Sequence, residues 1–402
     1  VRSGATASMR FGFFRSNHVP ILADFGSSGV KLLQVEGGDK PSATAAAFIP
    51  FPDALRSQPV EKRFDLLAAE LPGVLKTWGF RGSRVVVSPF SQHMLVQHIG
   101  VPATEVDNAQ GFIRMQIAIA LACDPATLVV RENAVCETNR DGQPKMEHIA
   151  FAMSRPDVMR YVELFKRSKI DVVGVHGEIA ALVHSFDHVN RRESDAQSVS
   201  MYLDLGYGAT KVAVCHGPQL VFAKSVSIGG RSFDARIAEL RKISVTEARV
   251  LRMAEGLGGA RVAARTSADP AAGLAILRAA VSAAESTGTA APPARTGPAD
   301  GVAQQSAEIV EHLADELSMC MRYHDALFPG RRIERAVFLG GEARDLGLCQ
   351  TLAASLRLPA KSGDPLSRYL SGGTIPPGLP DPGAPHPGWA VACGLATCPT
   401  DL

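Results

Sequence analysis

The hydrophobic pattern of this chain contains the same local unit twice. Short apolar runs of strand character, 21–23 and 30–35, flank the first unit, and the runs 201–203 and 212–214 flank the second. In both units a short polar segment with glycines separates the two runs. Two strands joined by a tight turn form a β-hairpin, and glycine supplies the backbone angles that such turns need. The pattern therefore predicts two hairpins in two separate parts of the chain.

The two turns share a chemical pattern. Loop one reads Asp-Phe-Gly-Ser-Ser-Gly-Val-Lys over 24–31, and loop two reads Asp-Leu-Gly-Tyr-Gly-Ala-Thr-Lys over 204–211. Successive backbone N–H groups in such a turn form an anion-binding nest. A nearby carboxylate can hold Mg²⁺ through water, which suits a phosphate site. One such loop alone would be an ordinary hairpin turn. Because the pattern occurs twice, we predict two lobes that close on one nucleotide.

A block between the two units, 92–170, has its own pattern of elements. Apolar residues at helical spacing follow Thr104, which is predicted to cap the helix that they form. The range 127–153 predicts a hairpin around the Asn-Arg-Asp-Gly turn at 139–142. Ser154 is placed to cap a further helix with a proline in its first turn. The block therefore predicts a small subdomain inserted into the first lobe.

Composition divides the chain further. The range 258–303 is rich in Ala, Gly, Pro, Ser and Thr and has no aromatic residue, which predicts a flexible insertion. The N-terminal lead-in is expected either to pack beside the first strand or to touch a membrane surface. The predicted domains are 1–18 as the lead-in, 19–91 with 171–196 as the first lobe, 92–170 as its inserted subdomain, 197–257 with 304–402 as the second lobe, and 258–303 as the flexible insertion.

Bulk composition narrows the functional classes. The 402 residues carry a formal net charge of +2 without a dense basic stripe, so no nucleic-acid partner is expected. Seven cysteines are widely spaced and none forms a Cys-x-x-Cys pair, which is typical of reduced thiols in a cytosolic protein. No apolar stretch reaches the ~20 residues that span a bilayer. The chain also lacks a P-loop and a Gly-x-Ser-x-Gly elbow, which disfavours P-loop NTPases and serine hydrolases.

Further segments resemble the actin-like ATPase superfamily, which includes actin, the heat-shock chaperone ATPases, sugar kinases and FtsA. Loops one and two are similar to its two phosphate loops. The sequence Phe-Leu-Gly-Gly-Glu-Ala-Arg at 338–344 is similar to its adenosine motif, and 174–184 and 388–396 occupy the places of its two interlobe connecting helices. The resemblance implies an α/β protein with the actin-like ATPase fold: two ribonuclease H-like lobes, with the α+β subdomain inserted into the first lobe.

Within that superfamily the chain resembles the PilM family of type IV pilus assembly. The segment 9–15 followed by 24–33 is similar to the opening of that family. The segment 96–102 leads into a similar insert helix, and 228–248 is similar to a second-lobe motif. The resemblance covers both lobes, from about residue 9 to residue 396, and excludes the Ala- and Pro-rich insertion.

The PilM resemblance implies partners, cofactors and a location. It implies a cytoplasmic protein, peripheral to the inner face of the inner membrane, that binds the cytoplasmic tail of a PilN-like inner-membrane protein; self-association stays open. It implies ATP and Mg²⁺ with at most slow hydrolysis, and no general base stands out. Asp24 and Asp204 would hold Mg²⁺ through water. The nucleotide would be bound by Asp24, Gly26, Ser27, Ser28, Lys31, Asp204, Gly206, Ala209, Thr210, Gly229, Gly230, Glu247, Gly340, Gly341 and Arg344.

Structural roles compete with these assignments. The two aspartates can stabilise turns by Asx hydrogen bonds, and Lys31 can be a solvated strand residue. Gly229 and Gly230 can allow a sharp strand-to-helix turn, while Glu247 and Arg252 can belong to a solvated helical face. The chain also departs from the superfamily by carrying a bulky Tyr207, and by carrying Glu342 and Arg344 where small or polar residues are more usual.

Three other functions fit parts of the pattern. A small-molecule or sugar kinase would need a catalytic carboxylate facing a substrate pocket, and spacing identifies none. An FtsA-like filament former belongs to a family that ends in an amphipathic membrane-targeting helix, a pattern that 398–402 does not show. The cytoplasmic half of a type II secretion component would continue into a membrane span.

Overall fold

The structure is a computed structural model, and it describes residues 19–37, 41–56, 58–140, 143–187, 197–258, 301–370, 375–376, 378–379 and 383–400. The predicted lead-in 1–18 and nearly all of the predicted insertion 258–303 lie outside these residues. Both therefore stay predictions.

The first lobe is built on a sheet with the strand order β3-β2-β1-β4-β8. Strands β1 and β2 form the first predicted hairpin, which the structure confirms, and β3 continues the antiparallel half. Strands β4 and β8 extend the sheet on the other side of β1 in parallel. The elements are β1 (Ile21–Gly26), β2 (Gly29–Glu36), β3 (Ser42–Pro50), α1 (Asp53–Arg56), α2 (Val60–Thr77), β4 (Arg84–Ser88) and β8 (Asp171–Val175).

The second lobe repeats this arrangement, with the strand order β11-β10-β9-β12-β13. Strands β9 and β10 form the second predicted hairpin, also confirmed, and β12 and β13 extend the sheet in parallel. The strands are β9 (Val199–Leu205), β10 (Thr210–His216), β11 (Gln219–Val226), β12 (Arg335–Leu339) and β13 (Ala360–Ser362). The helices are α6 (Gly230–Arg241), α7 (Val245–Glu255), Val302–Gln305, Ala307–Leu327, Leu346–Leu356, Ser367–Leu370 and Ala390–Gly394.

The sequence pattern explains why these strands are central. Every residue of β9 and β10 is buried, and β1 is buried up to Phe25, because helices cover both faces of each sheet. In α2 the apolar side chains of Leu67, Leu71 and Leu75 recur every fourth residue and are buried. This spacing gives one apolar helix face that packs on the sheet.

The inserted subdomain is a separate sheet with the order β5-β7-β6, formed by β5 (Leu95–Pro102), β6 (Leu128–Arg140) and β7 (Gln143–Ser154). Helix α3 (Ala109–Leu121) packs on it through Ile113 and Ile117. The predicted start of this helix was wrong, because 103–108 forms a 3₁₀ turn in which Thr104 caps nothing. The side chain of Asn108 instead lies against Gly111 in the first turn of α3.

Helix α4 (Arg155–Lys166) follows the insert sheet, and Ser154 caps it as predicted, with Ser154 Oγ accepting from Asp157 N–H at 3.1 Å. Its buried side chains Tyr161 and Phe165 pack in the core of the first lobe, where both rings meet Phe25. The insert thus returns directly into the first lobe.

The insert also contacts the second lobe. Tyr323 Oη donates to Glu147 Oε1 at 2.7 Å, and the backbone N–H of Ala223 donates to His98 Nε2 at 3.2 Å. The ring of His98 packs between Phe222 and Tyr323, and Glu147 is completely buried. The inserted subdomain therefore touches both lobes.

Two helices join the lobes at the places that the sequence predicted. Helix α5 (Glu178–His184) and the helix Ala390–Gly394 pack closely, with Gly394 against the carbonyl of Ala181. Both are shorter than the predicted ranges 174–184 and 388–396, since residues up to Val175 finish β8. The first residue of α5 therefore lies between the two hairpins.

Candidate functional site

The two predicted loops face each other across the lobes. Ser27 and Ser28 form the turn of loop one, whose strands close with Gly26 opposite Gly29. Loop two is closed by a hydrogen bond from Gly206 N–H to Ala209 O at 3.1 Å. A Cβ at Gly208 would collide with Ser27 Oγ, so this glycine lets the loops come into direct contact. The structure thus brings together the two loops that hold the residues predicted to contact phosphate: Gly26, Ser27, Ser28, Gly206, Ala209 and Thr210. Their contact with phosphate stays a prediction.

The charges of loop one pair within the loop. Lys31 Nζ lies 3.0 Å from Asp24 Oδ2, and the carboxylate is largely buried. Lys31 is therefore an ion-pair partner of Asp24 rather than a solvated strand residue. Asp24 lies opposite Ser88 of β4, whose buried hydroxyl has no hydrogen-bond partner among the described residues.

The charges of loop two pair outside the loop. Lys211 Nζ lies 2.9 Å from the carboxylate of Glu178, the first residue of α5. Burial acts to lower the pKa of Lys211, but Glu178 and Asp204 outweigh it, and that pKa is raised. Sequence reasoning missed Glu178, although the connecting helix that carries it was identified. An acid at the first position of that helix was the available signal.

Asp204 is the most perturbed carboxyl group in the cleft. Burial raises its pKa to about 6; Glu178 and Asp24 add to this, while Lys211 and Lys31 act against it. Three carboxylates and two ammonium groups are thus gathered around the loops. They belong to Asp24, Asp204, Glu178, Lys31 and Lys211. This charge density, enclosed in low dielectric, suits a polyanion that arrives with a divalent cation.

The predicted adenosine motif follows β12 and closes the cleft from the second lobe. Gly340 has φ +89°, and a Cβ there would strike the carbonyl of Leu205 and the carboxylate of Asp204. Gly341 is exposed, and a Cβ there would meet no atom within 4 Å. Gly340 therefore packs on loop two, whereas Gly341 faces open space.

Gly229 and Gly230 combine their two predicted roles. They form the turn from the second-lobe sheet into α6, and this turn is bound to loop two. Gly230 N–H donates to Gly206 O at 3.1 Å, and Arg231 N–H donates to Tyr207 O at 2.8 Å. A Cβ at Gly230 would overlap the carboxylate of Glu342. The two glycines border the cleft because the turn is sharp.

A buried ion network lies beside the adenosine motif. Arg252 Nε is 2.6 Å from Asp234 Oδ1, and Arg252 Nη1 is 2.6 Å from Glu342 Oε2. Arg252 is 3% exposed, so it does not belong to a solvated helical face. Burial raises the pKa of Asp234, against the effect of its bond to Arg252. The unusual Glu342 is thus held by a basic partner that sequence reasoning did not pair with it.

Two other predicted nucleotide residues have side-chain partners of their own. Glu247 accepts from Ser244 N–H at 2.8 Å and from Ser244 Oγ at 2.7 Å, which forms a capping box at the start of α7. The hydrogen bond from the Ser244 hydroxyl is the first cause that lowers the pKa of Glu247. Arg344 is exposed, with Nη2 3.3 Å from His386 Nδ1. Their contact with a nucleotide stays a prediction.

The bulky Tyr207 of loop two takes part in an interlobe contact that we call the arginine clasp: Asp53, Arg56, Tyr207 and Arg249. The guanidinium carbons of Arg56 and Arg249 lie 5.3 and 5.0 Å from the Tyr207 ring centroid. Asp53 Oδ1 lies 2.6 Å from Arg56 Nη1 and 3.4 Å from Arg249 Nη1. Arg56 comes from the first lobe and Arg249 from the second, so the clasp crosses the mouth of the cleft.

The side chains available in the cleft limit how a metal ion could be held there. In the part of the chain that the structure describes, no three or more His, Cys, Asp or Glu side chains converge as a protein-bound metal would need. Mg²⁺ at a phosphate site keeps several waters and takes only one or two carboxylates. Asp24 and Asp204 fit that water-mediated mode.

Within the described ranges, no helix combines the length and the apolar character that crossing a membrane requires.

The chain is similar in structure to several solved proteins. A chain of the PilM–PilN type IV pilus biogenesis complex superposes with a TM-score of 0.68 at 17% identity, over 94% of this chain and 97% of that one. The ethanolamine utilization protein EutJ from Carboxydothermus hydrogenoformans gives 0.48 at 11% identity, over 94% and 88%. MreB5 of Spiroplasma citri bound to ADP gives 0.45 at 10% identity, over 89% and 95%.

No protein-family model matches the chain, and no curated protein sequence matches it significantly. The structural similarity to a chain of the PilM–PilN complex extends over both lobes and the insert. At this low sequence identity, the superposition establishes the fold alone. The predicted PilM-like resemblance is confirmed at that level. The chain has the actin-like ATPase fold, with two ribonuclease H-like lobes and an α+β subdomain inserted into the first.

Proposed function

We propose that this chain is a nucleotide-binding assembly protein of a type IV pilus machine or a related secretion machine. The observation that carries the proposal is the direct contact of two glycine loops, each with a buried aspartate and a lysine, between two lobes of this fold. The similarity to a chain of the PilM–PilN complex supports the assembly role. On this proposal the protein acts at the inner face of the inner membrane without spanning it.

The residues present fit ATP with Mg²⁺. The backbone of loops one and two would hold the phosphates, with Ser27 and Ser28 adding hydroxyl groups. The Thr210 hydroxyl donates to Ile228 O at 2.8 Å, so Thr210 would contribute through its backbone alone. Asp24 and Asp204 would hold the waters of Mg²⁺, which neutralises phosphate charge when it is bound. Gly341 leaves room beside the adenosine motif. A ligand that contacts both lobes favours the closed state, and this differential binding is what a switch requires.

Slow hydrolysis at most is expected. Glu178 is the acidic residue best placed to act on a water near the loops, but its carboxylate is paired with Lys211 at 2.9 Å. The carboxylate is held by the ammonium group, so it is not free to position or deprotonate a water until the pair separates. We therefore propose that ATP binding, rather than turnover, carries the signal.

The nucleotide site is tested by calorimetry with ATP and Mg²⁺. Charge-assisted contacts contribute ~1.5–3 kcal/mol each, so the double variant Asp24→Ala/Asp204→Ala should bind at least about tenfold more weakly. The matched control is Asp65→Ala/Asp315→Ala, which removes one exposed aspartate from each lobe. Equal affinity of the wild type and of the loop variant would refute the site.

We propose that the partner is the cytoplasmic tail of a PilN-like inner-membrane protein, captured by the first lobe and its insert. The insert carries exposed apolar side chains on α3: Ile119 is 69% exposed and Met115 is 49% exposed. At one edge of its sheet, β5 contacts the second lobe through His98, which leaves β6 as the edge strand with which an extended peptide can pair. An extended tail with alternating apolar residues suits both features.

The partner is tested by titrating a labelled peptide, taken from the tail of the neighbouring membrane-protein gene, into the full chain with and without ATP. Deleting the insert would also remove its contacts with Tyr323 and Ala223 of the second lobe. Substitutions on the exposed face of α3 keep these contacts and test peptide binding alone. Met115→Ser/Ile119→Ser should weaken binding about tenfold or more. Val250→Ser, at 66% exposure on α7, is the matched control. Absence of saturable binding to the wild type would revive the kinase alternative.

A further inference from the structure

The arginine clasp joins the two lobes beside loop two, at the edge of the proposed nucleotide site. Tyr207 is part of loop two, and its carbonyl accepts from Arg231 N–H at 2.8 Å. On the opposite lobe, Phe51 N–H donates to Ser28 O of loop one at 3.0 Å, just before α1 carries Asp53 and Arg56. The first-lobe half of the clasp therefore follows a backbone hydrogen bond to loop one, and the second-lobe half includes a residue of loop two.

The clasp carries more positive than negative charge. Asp53 is the carboxylate within ion-pair distance of both Arg56 and Arg249. Two more arginines lie near. Burial lowers the pKa of Arg63, and the charge of Arg231 lowers it further, so both arginines add to the positive potential beside the clasp. An excess of guanidinium groups at the mouth of a cleft attracts an anion.

The arginines also keep unused donors. The Arg56 side chain is 10% exposed, and its Nε has no hydrogen-bond partner among the described residues. Arg63 Nη1 is likewise buried without a partner in the described ranges, although Nη2 of Arg63 donates to Arg56 O at 3.0 Å. Burying a charged donor without a partner is unfavourable unless a ligand completes its hydrogen bonds. Phosphate oxygens do this well, because they accept two parallel bonds from one guanidinium.

Stacking on Tyr207 keeps the two guanidinium groups in place without satisfying them. A cation over an aromatic face is attracted by the ring, and this contact leaves the in-plane N–H groups of the arginine available. Since Arg56 and Arg249 stack on one ring from opposite lobes, both guanidinium groups lie beside loop two. A group bound there would be held by both lobes at once.

We propose that Arg56 and Arg249 form an anion clamp for the terminal phosphate of the bound nucleotide, and that Tyr207 holds them when this phosphate is absent. The proposal rests on the proposed nucleotide site and adds its specificity: the clamp distinguishes a nucleoside triphosphate from a diphosphate. Whether a triphosphate or a diphosphate is bound would therefore change the contact between the two lobes.

The test compares the affinities of ATP and ADP, each with Mg²⁺, by calorimetry on the full chain. We expect the wild type to bind ATP about tenfold more tightly than ADP, since one charge-assisted contact corresponds to that factor. Arg56→Ala/Arg249→Ala should weaken ATP binding about tenfold or more and change ADP binding less than twofold. Arg236→Ala, an arginine of α6 that pairs with Glu239 and Glu308, is the matched control.

A second variant separates the clamp from a purely structural latch. Tyr207→Leu removes the ring that holds both guanidinium groups in place, so the clamp predicts about threefold weaker ATP binding and unchanged ADP binding. A latch that only holds the lobes together predicts weaker binding of both nucleotides. Arg249→Lys guards against misfolding, because it keeps the charge but loses the planar fork, and it should lower the ATP-to-ADP ratio.

The outcomes distinguish this proposal from the proposed function. Wild type that binds both nucleotides, with an ATP-to-ADP ratio unchanged in the arginine variants, overturns the clamp and leaves the nucleotide site standing. Wild type that binds neither nucleotide overturns both. A ratio that falls toward one only in the clasp variants establishes the clamp.

Discussion

Loops one and two share a sequence pattern but differ in how their charges are balanced. In loop one, Asp24 and Lys31 neutralise each other at 3.0 Å. In loop two, Lys211 turns to Glu178 at 2.9 Å, and burial raises the pKa of Asp204 to about 6. The partner of Asp24 thus lies inside the repeated pattern, whereas the charge balance around Asp204 involves Glu178, which lies outside it. The same motif gives one loop that is balanced by itself and one that depends on the connecting helix.

The loops also differ in what lies behind their aspartates. The sheets match strand for strand, so Asp24 lies opposite Ser88 of β4 just as Asp204 lies opposite Leu339 of β12. Loop one is backed by a polar side chain and loop two by an apolar one. An apolar neighbour withdraws solvation from a carboxylate, which agrees with burial as the largest cause of the Asp204 shift.

The largest expected effect comes from removing the two lysines in turn. Lys211→Met leaves the carboxylates of Glu178 and Asp204 buried without their cation, and this should lower the free energy of unfolding by about 3–5 kcal/mol. Lys31 is more exposed, with 19% of its side chain accessible against 9% for Lys211. Lys31→Met should therefore cost only about 2 kcal/mol. Urea denaturation of both variants at pH 7 measures the difference.

Equal losses in the two lysine variants would contradict the contrast between the loops. The double variant Lys211→Met/Glu178→Gln is the control, because it removes the cation and its main partner together. It should recover a large part of the stability lost in Lys211→Met alone. Failure to recover would mean that the Lys211 side chain acts through packing rather than charge.

The next effect concerns the dependence of stability on pH. Because the pKa of Asp204 is raised from 3.8 to about 6, the folded state binds a proton more tightly than the unfolded state. Its contribution is fully present below pH 3.8 and is lost as the pH rises through about 6. Asp204→Asn should therefore become more stable than the wild type over this window, by at most about 3 kcal/mol at pH 7. Thermal unfolding between pH 4 and pH 8 follows this difference.

Asp24→Asn is the matched variant for that experiment, and it should act in the opposite direction at pH 7. It leaves Lys31 without the carboxylate that lies 3.0 Å away, so it should destabilise the protein. Stabilisation by both amide substitutions, or by neither, would show that the loops are balanced alike.

Whether the sequence predicted a contact depends on whether that contact joins neighbouring or distant residues. The two hairpins and the cap at Ser154 depend on neighbours within a few residues, so local patterns predict them. The wrong start of α3 is also local, because Thr104 had the right residue type and spacing but capped no helix. Residue type shows which contacts can form, and packing decides which of them do.

The contacts that the sequence did not predict join distant segments. Arg249 meets Asp53 across 196 positions of sequence, and Arg252 meets Glu342 across 90. No periodicity or spacing rule connects such pairs. Arg249 and Asp53 meet across the two lobes, and Arg252 and Glu342 meet within the folded second lobe. Tyr207 and Glu342 were visible as departures from the superfamily pattern. Their basic partners became visible only in the folded chain.

The smallest expected effect tests the residue behind loop one. The hydroxyl of Ser88 is buried and has no hydrogen-bond partner among the described residues, which is unfavourable for the folded state. Ser88→Ala removes this group without creating a sizeable cavity, and it should raise the free energy of unfolding by about 1 kcal/mol. Ser367→Ala, which removes an exposed hydroxyl bound to Asp364 O, is the control and should change stability by less than about 0.5 kcal/mol. A loss of stability in Ser88→Ala, measured by urea denaturation, would show that the hydroxyl supports Asp24 and that the polar backing of loop one is functional.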